Sequence, residues 1–240
     1  MPEPDKKIQH ALLGMRDTLS LAVGTTPFAL IFGTMAVAAG LPPLAAVAMS
    51  CIVFAGSAQF ISLSLISGGA TLPVLWLTTF VINLRHALYS ATLQPVSRDW
   101  RFPWRVLGAF WLTDECFAVI ERRLRDIGAK DALPYYLGSC AFFYFNWVAW
   151  TGVGALLGGK IPGLAGLGLD FAMIATFAAM IAPQFRTPTP VAVAIVAGGV
   201  AWVAGDLPYK LGLIVAAFAG IAVGMFLDSR KPAPTEGGEA

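Results

Sequence analysis

Long uncharged apolar runs dominate this chain, and their spacing predicts membrane-length helices. Between Thr18 and Leu84 there is no Asp, Glu, Lys, Arg or His. One helical pass needs roughly 20 apolar residues, so this stretch alone can hold two to three passes. Hydrophobic segments fall at 18–39, 43–67, 72–95, 104–120, 134–158, 167–185, 189–205 and 210–227. They predict an all-α, polytopic integral membrane protein of about 7–8 hydrophobic helices, some of them short or interrupted.

The irregular segments carry most of the information. The stretch around 107–120 is short and contains Asp114-Glu115, with Arg105 before it and Glu121-Arg122-Arg123 after it. It reads as a full pass, a broken helix or a helix that enters partway. The last two segments are each shorter than a comfortable crossing and predict a tight hairpin through Gly205-Asp206-Leu207-Pro208.

Positive charge clusters at Lys6, Lys7 and Arg16, at Arg98, Arg101 and Arg105, and at Arg122, Arg123, Arg125 and Lys130. The positive-inside rule places all three clusters in the cytoplasm. Eight simple crossings would put the Arg98–Arg105 loop outside. An interrupted helix at 43–67, centred on Phe54-Ala-Gly-Ser-Ala-Gln-Phe60, removes the conflict. A weak internal repeat points the same way. Gly40-Leu-Pro-Pro-Leu44 precedes Phe54–Phe60, and Lys160-Ile-Pro-Gly-Leu164 precedes Phe177-Ala-Ala-Met-Ile-Ala-Pro-Gln-Phe185. Paired Gly/Pro-interrupted segments mark the substrate site of transporter folds built from repeats.

Composition narrows the class. The 240 residues are 57% hydrophobic and 12% charged, with a mean hydropathy of +0.72. Soluble domains carry about 25% charged residues. The net charge of +2 is too small to suggest a nucleic-acid partner. Cys51, Cys116 and Cys140 have no metal-ligand spacing and read as packing residues, so neither a metal nor a cofactor is expected. Residues 1–17 lack a continuous apolar core and read as an uncleaved cytoplasmic segment. They precede a permease domain at 18–227 and a disordered tail at 228–240.

Polar residues inside the apolar runs are the candidate chemistry. Arg85 lies thirteen residues into its segment, roughly 20 Å along a helix. That is deeper than snorkelling favours, so Arg85 and its neighbour His86 are candidates for ion or proton coupling. Asp114 and Glu115 are candidates for the same role, against the alternative of a surface helix with both acids in water. Asp170 joins this group, or simply begins a helix, where an acid complements the dipole. Ser57, Gln59, Asn83 and Asn146 can hydrogen-bond a polar substrate, against the alternative of helix–helix bonds. Gly212, Ala216, Gly220 and Gly224 form a stripe that packs another helix or docks a second subunit, and Gly154 with Gly158 repeats the device.

Three blocks together resemble the AzlC family, the large subunits of branched-chain amino-acid exporters. They are Phe54-Ala-Gly-Ser-Ala-Gln-Phe60, Asn83-Leu-Arg-His-x-x-Tyr89-Ser90 and Leu112-Thr-Asp-Glu-x-Phe117-Ala118. A later block, Leu169-Asp-Phe-Ala172 with Phe177 and Ala179, is similar to that family too. The resemblance runs from Thr18 to Phe226. It implies a multi-pass permease of the bacterial cytoplasmic membrane that exports valine, leucine, isoleucine and methionine with a small hydrophobic AzlD-type partner.

On this reading Phe28, Phe54, Phe60, Trp76 and Phe80 wall an aliphatic side chain. Ser57, Gln59 and Asn83 hold the α-ammonium and α-carboxylate, and the charged residues couple transport to a proton. Two other classes compete: an intramembrane serine hydrolase using Ser57 and His86, and a structural membrane subunit. The chain lacks a Gly-x-Ser-x-Gly elbow.

Overall fold

The computed structural model describes residues 4–127, 131–158, 182, 185–207 and 211–230. Asp170, the second half of the internal repeat up to Gln184, and the tail beyond residue 230 lie outside the described residues. Within them are nine α-helices and no strand. They are α1 (Pro4–Ala38), α2 (Pro43–Ile52), α3 (Gly56–Ser67), α4 (Leu72–Ser97), α5 (Phe102–Trp111), α6 (Asp114–Ile127), α7 (Ala132–Gly158), α8 (Pro188–Val203) and α9 (Leu211–Ser229). Two segments, Lys6–Ala38 and Ala132–Leu157, are long and apolar enough to cross a membrane.

The chain forms two compact units. In the unit built from Met1–Leu63 and Ile82–Met173, α1 and α7 make the spine. Contacts climb both sequences together, so the two helices run parallel. The Ala11 carbonyl lies over Gly138, Thr18 Oγ1 is 2.6 Å from Ser139 Oγ, Asn146 donates to the Ala22 carbonyl at 3.3 Å, and the Leu30 carbonyl lies over Gly154. A Cβ at Gly14, Gly33, Gly138 or Gly154 would fall inside a backbone carbonyl of the partner helix. Small residues are what let helix backbones approach this closely. Asp17 ties the seam's lower end, accepting from Arg123 Nε at 2.8 Å and from the Tyr135 hydroxyl at 2.9 Å.

Two helical hairpins reach the middle of α7 from opposite ends. The segment expected to be interrupted at 43–67 is α2 and α3, broken at Val53-Phe54-Ala55. Val47 rests against Gly152, Ser50 Oγ is 2.9 Å from Thr151 Oγ1, and Tyr144 donates to the Cys51 carbonyl at 3.0 Å. The helix α2 therefore descends from the C-terminal end of α7. The helix α3 turns back, because Gln59 pairs with Ser50 across the break and Phe60 packs on Phe32 of α1.

The 104–120 segment is also a broken helix, α5 and α6, interrupted at Leu112-Thr113. Tyr136 donates to the Gly108 carbonyl at 2.5 Å, while Phe110 and Trp111 reach the ring of Tyr144. So α5 climbs from the N-terminal end of α7, and α6 returns to Arg123 beside Asp17. Each ten-residue arm is about 15 Å long, half of a hydrocarbon core of roughly 30 Å.

The two tips meet at Phe54 and Phe110, ring centroids 6.4 Å apart, with Tyr144 of α7 4.9 Å from Phe54. Non-helical backbone at membrane depth is tolerated where protein covers it. Phe54, Ala55 and Leu112 are each 2% exposed, which meets that condition. Phe54 holds a left-handed φ of 40°, a conformation that costs a bulky side chain strain and needs surrounding contacts to persist. The stretch of α4 from Ile82 passes the α5–α6 break and then lines a cavity with α5 and Tyr136 of α7. Arg85 meets Asp114 at one tip, and Tyr89 stacks on Phe117 at 4.5 Å.

In the second unit, Ser64–Val81 with Ile174–Ala240, α8 and α9 pack antiparallel around the turn at Ala204–Leu207. Gly212 lies against the Ala204 carbonyl, and Gly220 against Val193 and Ala197. The glycine stripe of α9 therefore serves this internal contact.

The seam gives a paired test. Gly33→Ala forces a methyl into the Thr151 carbonyl and is expected to lose about 1–3 kcal/mol by overpacking. Gly24→Ala, whose Cβ meets nothing within 4 Å, is expected to be neutral or mildly stabilising. Thermal melts followed by size-exclusion fluorescence in detergent compare the two.

Candidate functional site

Two helix starts frame the site. Thr113 is the N-cap of α6: its hydroxyl accepts from the Cys116 amide at 3.4 Å, and its carbonyl accepts from the Phe117 amide at 2.8 Å. Asp114 and Glu115 follow in the first turn, where acids complement the helix dipole. Ser57 stands in the first turn of α3, immediately after the strained Phe54 and the close packing of Gly56 on the Trp147 ring.

Arg85 of α4 joins these two starts. Its Nη1 pairs with Asp114 Oδ2, and its Nη2 donates to Ser57 Oγ at 2.5 Å. The side chains of Arg85 and Asp114 are 27% and 32% exposed, so the pair is partly but not fully withdrawn from solvent. A cation and a carboxylate this deep in an apolar unit are tolerable only together. Removing one leaves the other uncompensated in a poor dielectric.

The pair is also under-bonded. Arg85 Nε, Asp114 Oδ1 and His86 Nε2 are buried with no hydrogen-bond partner. Buried polar groups are nearly always satisfied, so unspent donors and acceptors in one place are a functional signature. His86 adjoins Arg85 on α4 and sits 6.1 Å, ring to ring, from Tyr89. The hydroxyl of Tyr89 comes within interaction range of Asp114.

The structure thus brings Ser57, Arg85, His86 and Asp114 together, and Glu115 adjoins them on α6. Other expected residues are engaged elsewhere. Gln59 is fully buried, donating to Ser50 Oγ at 2.8 Å and accepting from Trp147 Nε1 at 3.0 Å. With Thr151 beyond Ser50, this network anchors the α2–α3 hairpin on α7. Asn146 bonds the Ala22 carbonyl and Thr26 Oγ1 of α1. Asn83 lies two positions before Arg85, about 200° around α4, with its Oδ1 buried and unpartnered. Of the expected apolar walls, Phe54 and Phe60 are buried and Phe28 is half-buried, whereas Trp76 and Phe80 are 68% and 64% exposed.

The nucleophile and base of a serine hydrolase are not paired. Ser57 Oγ accepts from a guanidinium, and His86 Nε2 has no partner among the described residues. Among those residues no group of His, Cys, Asp and Glu could hold a metal ion.

Sequence reasoning missed Tyr89, the Ser50–Thr151–Trp147 anchor and the aromatic meeting of Phe54, Phe110 and Tyr144. Tyr89 had a signal, since it falls one helical turn beyond Arg85-His86 and so shares their face of α4.

Comparison with known proteins supplies the relatives. A family model described as AzlC protein matches residues 20–161. An inner membrane protein of Escherichia coli, YgaZ, is 29% identical over 189 residues, covering 77% of each chain. An uncharacterized membrane protein of Archaeoglobus fulgidus is 30% identical over 210 residues, 86% of this chain and 90% of its own length. Another from Helicobacter pylori is 25% identical over 174 residues, covering 72% of this chain and 74% of its own. No solved structure matches.

The ion pair makes a double-variant prediction. Arg85→Met and Asp114→Asn are each expected to destabilise the folded protein. The combined variant is expected to recover part of the loss, with a coupling of about 1–3 kcal/mol. Thermal melts of the four proteins in detergent measure it.

Proposed function

This chain belongs to the AzlC family of membrane proteins, and we propose that it is the large subunit of a proton-coupled permease that exports branched-chain amino acids. Valine, leucine and isoleucine are the main cargo, methionine a further one, and a small hydrophobic AzlD-type subunit the partner. The observation that carries this reading is Arg85, held between the first turns of α3 and α6, the two helices that start at the hairpin breaks.

An α-amino acid presents one carboxylate, one ammonium and, here, an aliphatic side chain. Arg85 suits the carboxylate, helped by the positive ends of α3 and α6. Asp114 Oδ1 is a free acceptor for the ammonium while Asp114 is ionised. The rings of Phe54, Phe110 and Tyr144 offer an apolar wall nearby.

Coupling follows from competition for one guanidinium. When Asp114 takes a proton it gives up its claim on Arg85, and the substrate carboxylate becomes the anion that compensates the cation. When the substrate leaves, Asp114 releases the proton and pairs again. Arg85 is never left alone in low dielectric, a state that would cost several kcal/mol. His86, adjoining Arg85 with its Nε2 unpartnered, is placed to relay the proton.

The hairpins account for topology. With α2–α3 and α5–α6 each entering and leaving on its own side, α1, α4 and α7 are the crossings of the first unit. The three basic clusters then share one face, which is cytoplasmic by the positive-inside rule. The remaining segments, including those of the weak internal repeat, bring the hydrophobic helices to about 7–8.

Reconstitution with and without the small subunit, measuring counterflow of labelled valine across a set pH gradient, tests the proposal. Wild type is expected to accumulate valine when the gradient is imposed. Asp114→Asn should still exchange valine for valine but lose the response to pH, and Arg85→Met should lose both. Gradient-driven accumulation by Asp114→Asn at the wild-type rate would overturn the coupling, and no valine flux in any arm would overturn the substrate.

A further inference from the structure

A cavity of about 480 Å³ opens beside the C-terminal half of α4, away from Arg85. This volume falls within the roughly 300–1,000 Å³ of small-molecule sites. The cavity lies between α4, α5 and Tyr136 of α7, beside the basic connection that carries Arg98, Arg101 and Arg105. One wall is polar, formed by Ser90, Gln94 and Ser97 of α4. The opposite wall mixes Arg105 with the apolar Val106, Ala109 and Leu112 of α5.

Three features define what such a space accepts. Arg105 is exposed and makes no ion pair among the described residues, and no Asp or Glu lines the cavity, so its one charge is a cation with no carboxylate partner there. The Tyr136 hydroxyl is spent on the Gly108 carbonyl, which leaves the amide and hydroxyls of α4 to meet a second polar group. The apolar residues of α5 then face a non-polar substituent. A single anionic group, a hydrogen-bonding group and an aliphatic body are the parts of the proposed cargo.

The cavity also connects to the site. At 100° per residue, His86, Ser90, Leu93 and Ser97 share one face of α4, with Gln94 at its edge. This stripe runs about 16 Å from Ser97 to the unpartnered His86, and Ser90, its nearest residue in the cavity wall, is about 6 Å from His86 along the helix. Leu84, Leu88 and Pro95 occupy the other face and are exposed, while Ala91 at its edge still lines the cavity. The second half of α4 therefore carries its serines on the His86 side, and Arg85 lies about 100° around the helix from that stripe. Leu112, in the cavity wall, directly precedes Thr113 and Asp114.

We propose that this cavity is a loading site, where Arg105 takes the carboxylate of an aliphatic α-amino acid before the cargo passes Ser90 and His86 of α4 to reach Arg85. The inference rests on the export reading for its cargo, but it can stand or fall separately. In exporting from the basic side, the permease would meet its substrate first at Arg105 and pass it to Arg85 only when Asp114 is protonated.

Substrate protection of a cysteine placed in the wall tests it. Full-length Ala91→Cys in proteoliposomes, a position in the cavity wall that the binding argument does not use, with wild type as the background for Cys51, Cys116 and Cys140, is labelled with a charged thiosulfonate. Valine and isovalerate should slow labelling roughly tenfold at about ten times their dissociation constants, the factor set by occupancy. Valinamide, which lacks the carboxylate, should give no protection. Adding Arg105→Gln should abolish protection, while adding Arg85→Met should leave it.

Protection by valinamide as strong as by valine, or protection unaffected by Arg105→Gln, would overturn the assignment. So would labelling that responds to phosphatidylglycerol content and not to valine, since the cavity would then hold a lipid headgroup. Normal counterflow without protection sinks the loading site and spares the export reading. Arg105-dependent protection by isovalerate without any counterflow does the reverse.

Discussion

A single guanidinium organises the first unit. Arg85 comes from the middle of α4 and bonds the first turn of α3 through Ser57 and the first turn of α6 through Asp114. Each of those helices starts at depth because its hairpin is broken there, and each start presents a positive dipole end. A cation at that place would be repelled by both, so the carboxylate of Asp114 is the element that makes the junction stable. The site is a balance of charges first and a geometric arrangement second.

That balance also explains why the breaks sit where they do. Oil tolerates no unsatisfied backbone, so an interrupted helix must bury its tip in protein. The rings of Phe54, Phe110, Phe143 and Tyr144 close over both tips. The Ser50–Gln59–Trp147 bonds hold the α2–α3 hairpin to α7 in the absence of any charge. Polar side chains in this unit therefore divide into two kinds. Some are saturated and fix the fold, such as Gln59 and Thr151. Others are left unspent, such as Arg85 Nε and Asp114 Oδ1, and are available to a visitor.

Much of the fold was legible in the residues. The small-residue run at Phe54–Phe60 marked the first break, and the charge conflict among the basic loops argued that 43–67 does not pass straight through. The depth of Arg85 in an apolar run marked it as a candidate, and the structure sets it against Asp114 and Ser57. What stayed hidden was pairing. Nothing in the spacing of Ser57, Arg85 and Asp114 states that three separate elements bring them within bonding distance, since that depends on hairpin direction. Gln59 looked like Ser57 in sequence, an uncharged polar residue beside the same break. Only the two-residue offset around α3, about 200°, turns one toward Arg85 and the other toward Trp147. Tyr89 was masked by its type, because an aromatic residue in a membrane helix reads as packing.

The seam between α1 and α7 carries one last implication. Where backbone touches backbone with glycine on the contact, no slack exists for rotation or sliding, because the first displaced atom meets a carbonyl. The export reading proposed above requires alternating access, so some part of the molecule must move, and this pair is poorly placed to do so. On that reading the parallel helices are a fixed stator, and the stroke falls to the lighter parts hung on it by side chains: the two hairpins and the second half of α4.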